Sequence, residues 1–156
     1  MLGNPPVLFL YRGLPGSGKT TRATALASER GAGLASADDF FVGEDGIYRF
    51  DGSKLPQAHA ACQAKVREFL AAGRDAVVHN TFTQGWEATP YVEMALEFGA
   101  DIEVANLFDG GLDDAALASR NVHGVPEASI AAMRARWEVD LLSSQAREPR
   151  APWERK

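Results

Sequence analysis

The chain is 156 residues long, 46% hydrophobic and 24% charged, with a formal net charge of −5. That length supports one hydrophobic core with little room for a second, and the acidic balance excludes indiscriminate attraction to nucleic acid. No apolar run approaches the roughly twenty residues of a membrane span, no signal-peptide pattern opens the chain, and a lone Cys62 excludes an internal disulfide. A cytoplasmic chain with no membrane contact and no obligate protein partner is the expectation.

The first element is an apolar strand, Val7-Leu8-Phe9-Leu10-Tyr11. Directly after it, residues 13–20 read Gly-Leu-Pro-Gly-Ser-Gly-Lys-Thr, and an alanine-rich helical stretch follows over 21–29. Strand, glycine loop and helix in this order are the context of a G-x-x-x-x-G-K-[ST] phosphate loop. Gly13, Gly16 and Gly18 can adopt backbone angles closed to other residues, so the N–H groups of the loop, Ser17 among them, can turn inward around phosphate oxygens. The positive end of the helix faces the same anion. Lys19 is assigned to the β- and γ-phosphates and the Thr20 hydroxyl to Mg²⁺. The motif implies a bound nucleoside triphosphate.

A short second strand is expected over 32–36, ending at Asp38-Asp39. Residues 43–52, with Asp45-Gly46 and Asp51-Gly52, read as a turn-rich loop. Leu55, His59, Cys62, Val66 and Phe69 recur at helical spacing and mark an amphipathic helix over 53–72, stopped at Gly73. Cys62 reads as a buried structural thiol, and His59 as a core histidine. A third strand covers 75–79, a helix 90–98 and a fourth strand 102–108. The segment 109–126 contains Gly110-Gly111, a candidate hinge, and a short helix over 112–119 that leads to Arg120. A last helix from Pro126 is expected to place Ile130, Met133, Trp137 and Leu141 on one face. The tail from residue 145, with Pro149 and Pro152, is expected to be loosely held.

Strand–helix alternation of this kind predicts a three-layer α/β/α fold around a parallel sheet, whose ligand crevice lies at the carboxyl ends of the strands. The phosphate loop, Asp38-Asp39 and His79-Asn80-Thr81 would then converge on one cleft. An acidic pair opposite a phosphate loop can accept a proton from an attacking hydroxyl or hold Mg²⁺ through water. Asp38 is the candidate general base, and Asp39 either supports it or caps the next helix. Asn80 and Thr81 are candidate ligands to substrate, water or Mg²⁺, against the plainer reading of strand-end turn residues. Arg120, on a hinged segment, is the candidate that closes over the triphosphate and stabilises transition-state charge. His123 reads as packing or loop hydrogen bonding, and Trp86 and Trp137 as core residues. No His/Cys cluster has zinc spacing. From Arg120 onward, seven Arg and Lys oppose five Asp and Glu. That bias leaves open a local basic surface, with a solvated charged face the simpler reading.

Gly13 to Thr20, Ser36-Ala37-Asp38-Asp39-Phe40-Phe41, His79-Asn80-Thr81-Phe82-Thr83 with Trp86-Glu87 and Pro90-Tyr91, and Arg120-Asn121 through His123-Gly124-Val125-Pro126 occur in this order. The set resembles the polynucleotide-kinase-like P-loop kinases, a group akin to the zeta-toxin-like kinases that includes phage 5′-hydroxyl kinases and kinase modules of larger eukaryotic proteins. The resemblance runs from about Val7 to Trp137. It implies a P-loop NTPase fold of the kinase branch, with a four- to five-stranded parallel sheet and a helical lid. It also implies ATP and Mg²⁺ as cofactors, Asp38 as general base, Arg120 in the lid, and Gly46, Tyr48, Phe50 and Asp51 in a substrate-side loop. Two departures stand out. His79 and Phe82 occupy positions where relatives often carry Asp and Asn, and Phe41 stands where phage enzymes place an arginine that meets substrate phosphate.

The expected organisation is one kinase domain over 1–144, with its lid at about 109–126, and a tail over 145–156. The leading functional expectation is transfer of the γ-phosphate of ATP to a hydroxyl of a polynucleotide, at a 5′ end or on a hydroxymethylated base. A small-molecule kinase, acting on a nucleoside, sugar or antibiotic, is the alternative. An NTP-binding switch without an acceptor is the third reading, and an acidic pair beside the phosphate loop argues against it.

Overall fold

In the computed structural model, residues 4–147 and 149–154 are described; the expectations for residues 1–3, 148, 155 and 156 lie outside them. Four strands form one parallel sheet in the order β2-β3-β1-β4, with β1 at Val7–Gly13, β2 at Gly33–Ala35, β3 at Ala76–Asn80 and β4 at Asp101–Phe108. The apolar runs of β1 and β3 occupy the centre, where both faces of a strand are covered. Alternation along β1 then sorts its side chains. Leu8 and Leu10 pack with Cys62, Val66 and Leu70 of α2 (Leu55–Ala71) and with Tyr91, Met94 and Ala95 of α3 (Thr89–Phe98). Phe9 points the other way, to Ala23 and Ala27 of α1 (Lys19–Arg30). The three expected layers are present.

Arg12 continues the Leu8–Leu10 alternation and is therefore carried into the interior, with no exposed surface. Its guanidinium donates to the Phe82 carbonyl at 2.8 and 3.0 Å, to the Glu138 carbonyl at 2.7 Å and to the Val139 carbonyl at 3.2 Å, and lies 3.9 Å above the Trp137 ring. Burial lowers its pKa to about 10, against the opposing pull of Glu87, Glu138 and Asp140. A buried cation needs acceptors on every donor, and here backbone carbonyls supply them. Phe82 holds a left-handed backbone (φ 45°) that turns its carbonyl into this arrangement.

The same demand explains why the last helix is shorter than its periodicity predicts. Helix α5 spans only Glu127–Ala135. Beyond it the chain leaves the helical path, because the Glu138 N–H donates to the Thr83 carbonyl at 2.8 Å and the next carbonyls turn to Arg12. Ile130, Met133 and Trp137 still share one cluster with Leu14 and Leu117, but Leu141 opens a separate short helix, α6 (Leu141–Ser144), and joins the main core. Residues of the tail make contacts as well. Trp153 contacts the rings of His59 (6.2 Å) and Trp86 (5.5 Å), and Gln145 accepts from the Thr89 hydroxyl at 3.0 Å. Among the described residues, no helix is long and apolar enough to cross a membrane.

Candidate active site

The carboxyl ends of β1, β2 and β3 open on one side of the sheet. At the end of β1 the phosphate loop is folded around its glycines. Gly16 and Gly18 have φ of 84° and 96°, values favourable only for glycine. A side chain at Gly16 would run into the Leu117 carbonyl, since α4 (Asp114–Arg120) lies directly against the loop. Gly110 packs on the Ser17 carbonyl in the same way. No side chain caps the N-terminus of α1, so the donors of its first turn face the cleft. The Ser17 hydroxyl is buried with no hydrogen-bond partner among the described residues. Desolvation pushes the Lys19 ammonium down to about 8, with the negative charge of Asp38 pulling the other way. An uncapped helix end, a partnerless buried hydroxyl and a desolvated cation in one loop are all relieved by a phosphate group. The loop fits a triphosphate, and the Thr20 hydroxyl, exposed at its rim, fits a divalent cation bound with it.

Opposite the loop, Asp38 sits in a 3-10 helix, Ala37–Phe41, entered through Ser36. The Ser36 hydroxyl accepts from the Asp38 N–H (3.1 Å), and Asp39 returns a bond to the Ser36 N–H (3.2 Å), a capping box. Asp39 also pairs with Lys65 at 3.7 Å, so its capping role is the one realised. Asp38 is left to the cleft, half-exposed. Its Oδ1 accepts the Tyr48 hydroxyl at 3.0 Å, and its Oδ2 lies 3.5 Å from His123 Nε2. The Tyr48 and His123 rings lie 4.1 Å apart, tilted by 30°. Burial, followed by the Asp38 charge, raises the Tyr48 pKa, which keeps it a donor.

Tyr48 reaches this position because residues 41–49 fold back on themselves. Val42 bridges Tyr48 antiparallel, the Arg49 N–H donates to the Phe41 carbonyl, and Gly46 makes the turn with φ 78°. Asp51, expected on the substrate side, caps the 3-10 turn Gly52–Lys54 through the Ser53 N–H. His123 reaches Asp38 from the segment after α4 because Asn121 closes the loop beneath it. Asn121 donates to the carbonyls of Ala118 and Val125 and accepts from the Val125 N–H. His123 is thus a cleft residue rather than simple packing.

At the end of β3 the side chains divide. Asn80 is buried, and its carbonyl oxygen accepts from the Ala37 N–H at 2.9 Å. The amide fastens β3 to the helix that carries Asp38. Thr81 is half-buried, with no side-chain hydrogen bond among the described residues. His79 faces the phosphate loop, its Nδ1 3.3 Å from the Thr20 hydroxyl oxygen. Desolvation lowers its pKa; Asp39 opposes that and Lys19 adds to it.

Arg120 ends α4 exposed, with no ion pair among the described residues. The Gly110-Gly111 turn is fastened, because Arg134 bonds Asp109 (2.7 Å), Asp114 (2.9 Å) and the Leu112 carbonyl (2.9 Å). The ion pairs of Arg134 with Asp109 and Asp114 offset part of the C-terminal basic bias. Arg49 pairs with Asp45 at 2.8 Å, and Phe41 is buried. The rim around Asp38 instead exposes Phe40, Val42, Ile47 and Phe50. Trp86, expected in the core, is half-buried and lines a separate cavity of about 400 Å³ with His59 and Trp153.

The family model described as an AAA domain matches residues 8–139. NEDD4-binding protein 2 of Homo sapiens is 35% identical over 134 residues, an alignment covering 81% of this chain and 7% of that protein. A chain of the Pnkp1/Rnl/Hen1 RNA repair complex superposes with a TM-score of 0.69 at 19% identity, over 94% of this chain and 47% of its own length. A gluconokinase from Sinorhizobium meliloti 1021 superposes with a TM-score of 0.53 at 19% identity, covering 87% of this chain and 77% of that one. The chain thus spans less than half the length of the first two relatives, and the structural likenesses establish a shared fold.

Proposed function

The chain belongs to the AAA domain family, with the fold of polynucleotide-kinase-like P-loop kinases, and from that premise we propose that it transfers the γ-phosphate of ATP to a hydroxyl of a polynucleotide. The observation that carries the kinase reading is the hydroxyl bound to Asp38. Tyr48 shows that an O–H fits against this carboxylate, across the cleft from Lys19. Asp38 would take the proton of an acceptor hydroxyl as its oxygen bonds to the γ-phosphorus and the bond to the β–γ bridging oxygen breaks, releasing ADP. Lys19 and the loop N–H groups would hold the charge of the β- and γ-phosphates, and Arg120 would add its charge from the end of α4, which already lies against the loop. Thr20 would hold Mg²⁺, which when bound neutralises phosphate charge. A nucleotide switch needs no carboxylate aimed at a hydroxyl.

The exposed Phe40 and Phe50 beside Asp38 support a polynucleotide acceptor, because unpaired bases stack on such rings. A small-molecule acceptor is favoured by a different observation: Phe41 is buried and Arg49 is tied to Asp45, so neither presents a cation to a phosphate backbone. Transfer of labelled γ-phosphate from ATP–Mg²⁺ to 5′-hydroxyl DNA and RNA, hydroxymethyluracil DNA, nucleosides and sugars decides between them. Label on an oligonucleotide, lost in Asp38→Asn, is the expected outcome. Label confined to small acceptors transfers the assignment to the second reading. Retained ATP binding with no transfer to any acceptor overturns both.

A further inference from the structure

Among the described residues, no three His, Cys, Asp or Glu side chains converge to form a metal site of their own. A cation bound with a triphosphate in this cleft would be held jointly by protein side chains and the phosphate oxygens. On the protein side the Thr20 hydroxyl is one donor, by the general chemistry of phosphate loops. The polar atom beside it is not an oxygen. It is Nδ1 of His79, at 3.3 Å. Adjacent corners of an octahedron with bonds of 2.1 Å are about 3.0 Å apart, so the two atoms already stand at nearly the spacing of neighbouring ligands to one ion.

The nearby carboxylates have other partners. Asp39 caps the 3-10 helix and pairs with Lys65, while Asp38 is bonded to Tyr48 and faced by His123. His79 is the penultimate residue of the central strand β3, where its backbone pairs with Tyr11 of β1, so the ring projects from a fixed backbone position beside the loop. Resting on the nucleotide-binding reading above, we propose that His79 supplies a nitrogen ligand, beside the Thr20 oxygen, to the divalent ion bound with the triphosphate. Imidazole suits borderline transition metals, whereas Mg²⁺ strongly prefers oxygen. The site accordingly favours Mn²⁺ or Co²⁺ over Mg²⁺ more than an all-oxygen phosphate-loop site does.

The test uses the full chain with Mn²⁺ and the non-hydrolysable analogue AMPPNP, read by pulsed electron paramagnetic resonance on protein carrying ¹⁵N-labelled histidine. A histidine-nitrogen hyperfine coupling is expected. The chain has three histidines, so the coupling should persist in His59→Ala and His123→Ala and disappear in His79→Asp. In parallel, AMPPNP binding is titrated with each metal. His79→Asp should shift the ratio of Mn²⁺ to Mg²⁺ concentrations needed for half-saturation about tenfold toward Mg²⁺. Bound Mn²⁺–AMPPNP without histidine coupling, or coupling that survives His79→Asp, overturns the assignment and leaves nucleotide binding standing. Failure of AMPPNP to bind with any of the metals removes the nucleotide reading and the ligand assignment together. If His79→Asp does not fold, the wild-type spectrum and the other two histidine variants still decide by elimination.

Discussion

The two walls of the cleft are built by different means. The donor wall, residues 13–20, is part of the core: Leu14 is fully buried, Gly16 abuts the α4 backbone, and Gly110 seals Ser17 from outside. The acceptor wall, residues 38–50, is a folded-back loop whose large side chains Phe40, Val42, Ile47 and Phe50 face outward. One wall is specified by backbone geometry, with no room for a side chain at Gly13 or Gly16 unless a neighbour moves. The other is specified by side chains, several of them exposed. On the proposed function, recognition of the triphosphate would rest with the first wall and choice of acceptor with the second.

That contrast can be broken or sharpened at named residues. The largest effect is expected at the junction of the walls. Asp38→Asn should lower turnover on the true acceptor by about 10³-fold, with ATP affinity unchanged in a separate binding titration. Equal loss of both would mean that Asp38 serves the donor wall. Next is Gly16→Ala, where a methyl group meets the Leu117 carbonyl at a left-handed backbone position. A loss of about 2–4 kcal/mol in denaturant unfolding is expected, along with ATP binding; unchanged stability would show the donor wall to be less rigid than its packing.

Phe50→Ala should spare stability and ATP affinity while raising the KM of a polynucleotide acceptor about tenfold, if bases stack there. No change would place the acceptor elsewhere on the rim. The Lys19 ammonium gives a test by sign. Its folded pKa, about 8, lies below the ordinary 10.5, so between these values the unfolded chain binds more protons. Stability of the nucleotide-free protein should then rise as pH climbs from 8 to 10.5, while ATP affinity falls over the same range as the charge is lost. Parallel pH profiles would contradict the assignment of Lys19. The smallest effect is expected for Tyr48→Phe. Removing the hydroxyl that occupies Asp38 Oδ1 should lower the acceptor KM about threefold without altering the KM for ATP.

What the sequence by itself determined is local. The glycine spacing of 13–20, the apolar runs of the strands and the Asp38 position at a strand end are readable because each depends on residues within a few positions of one another. Even the buried Arg12 had a sign: it continues the inward alternation of Leu8 and Leu10. Its partners did not, since the carbonyls of Phe82, Glu138 and Val139 lie far along the chain. The same is true of the early stop of α5, the turning of Asn80 into the fold, the placing of Tyr48 and His123 on Asp38, and the contact between His79 and Thr20. Periodicity reports which face of an element is apolar. Which distant donor meets which acceptor is decided only when the sheet and its crossing helices bring strand ends together, because hydrogen bonds of buried polar groups are satisfied across the fold and not along the chain.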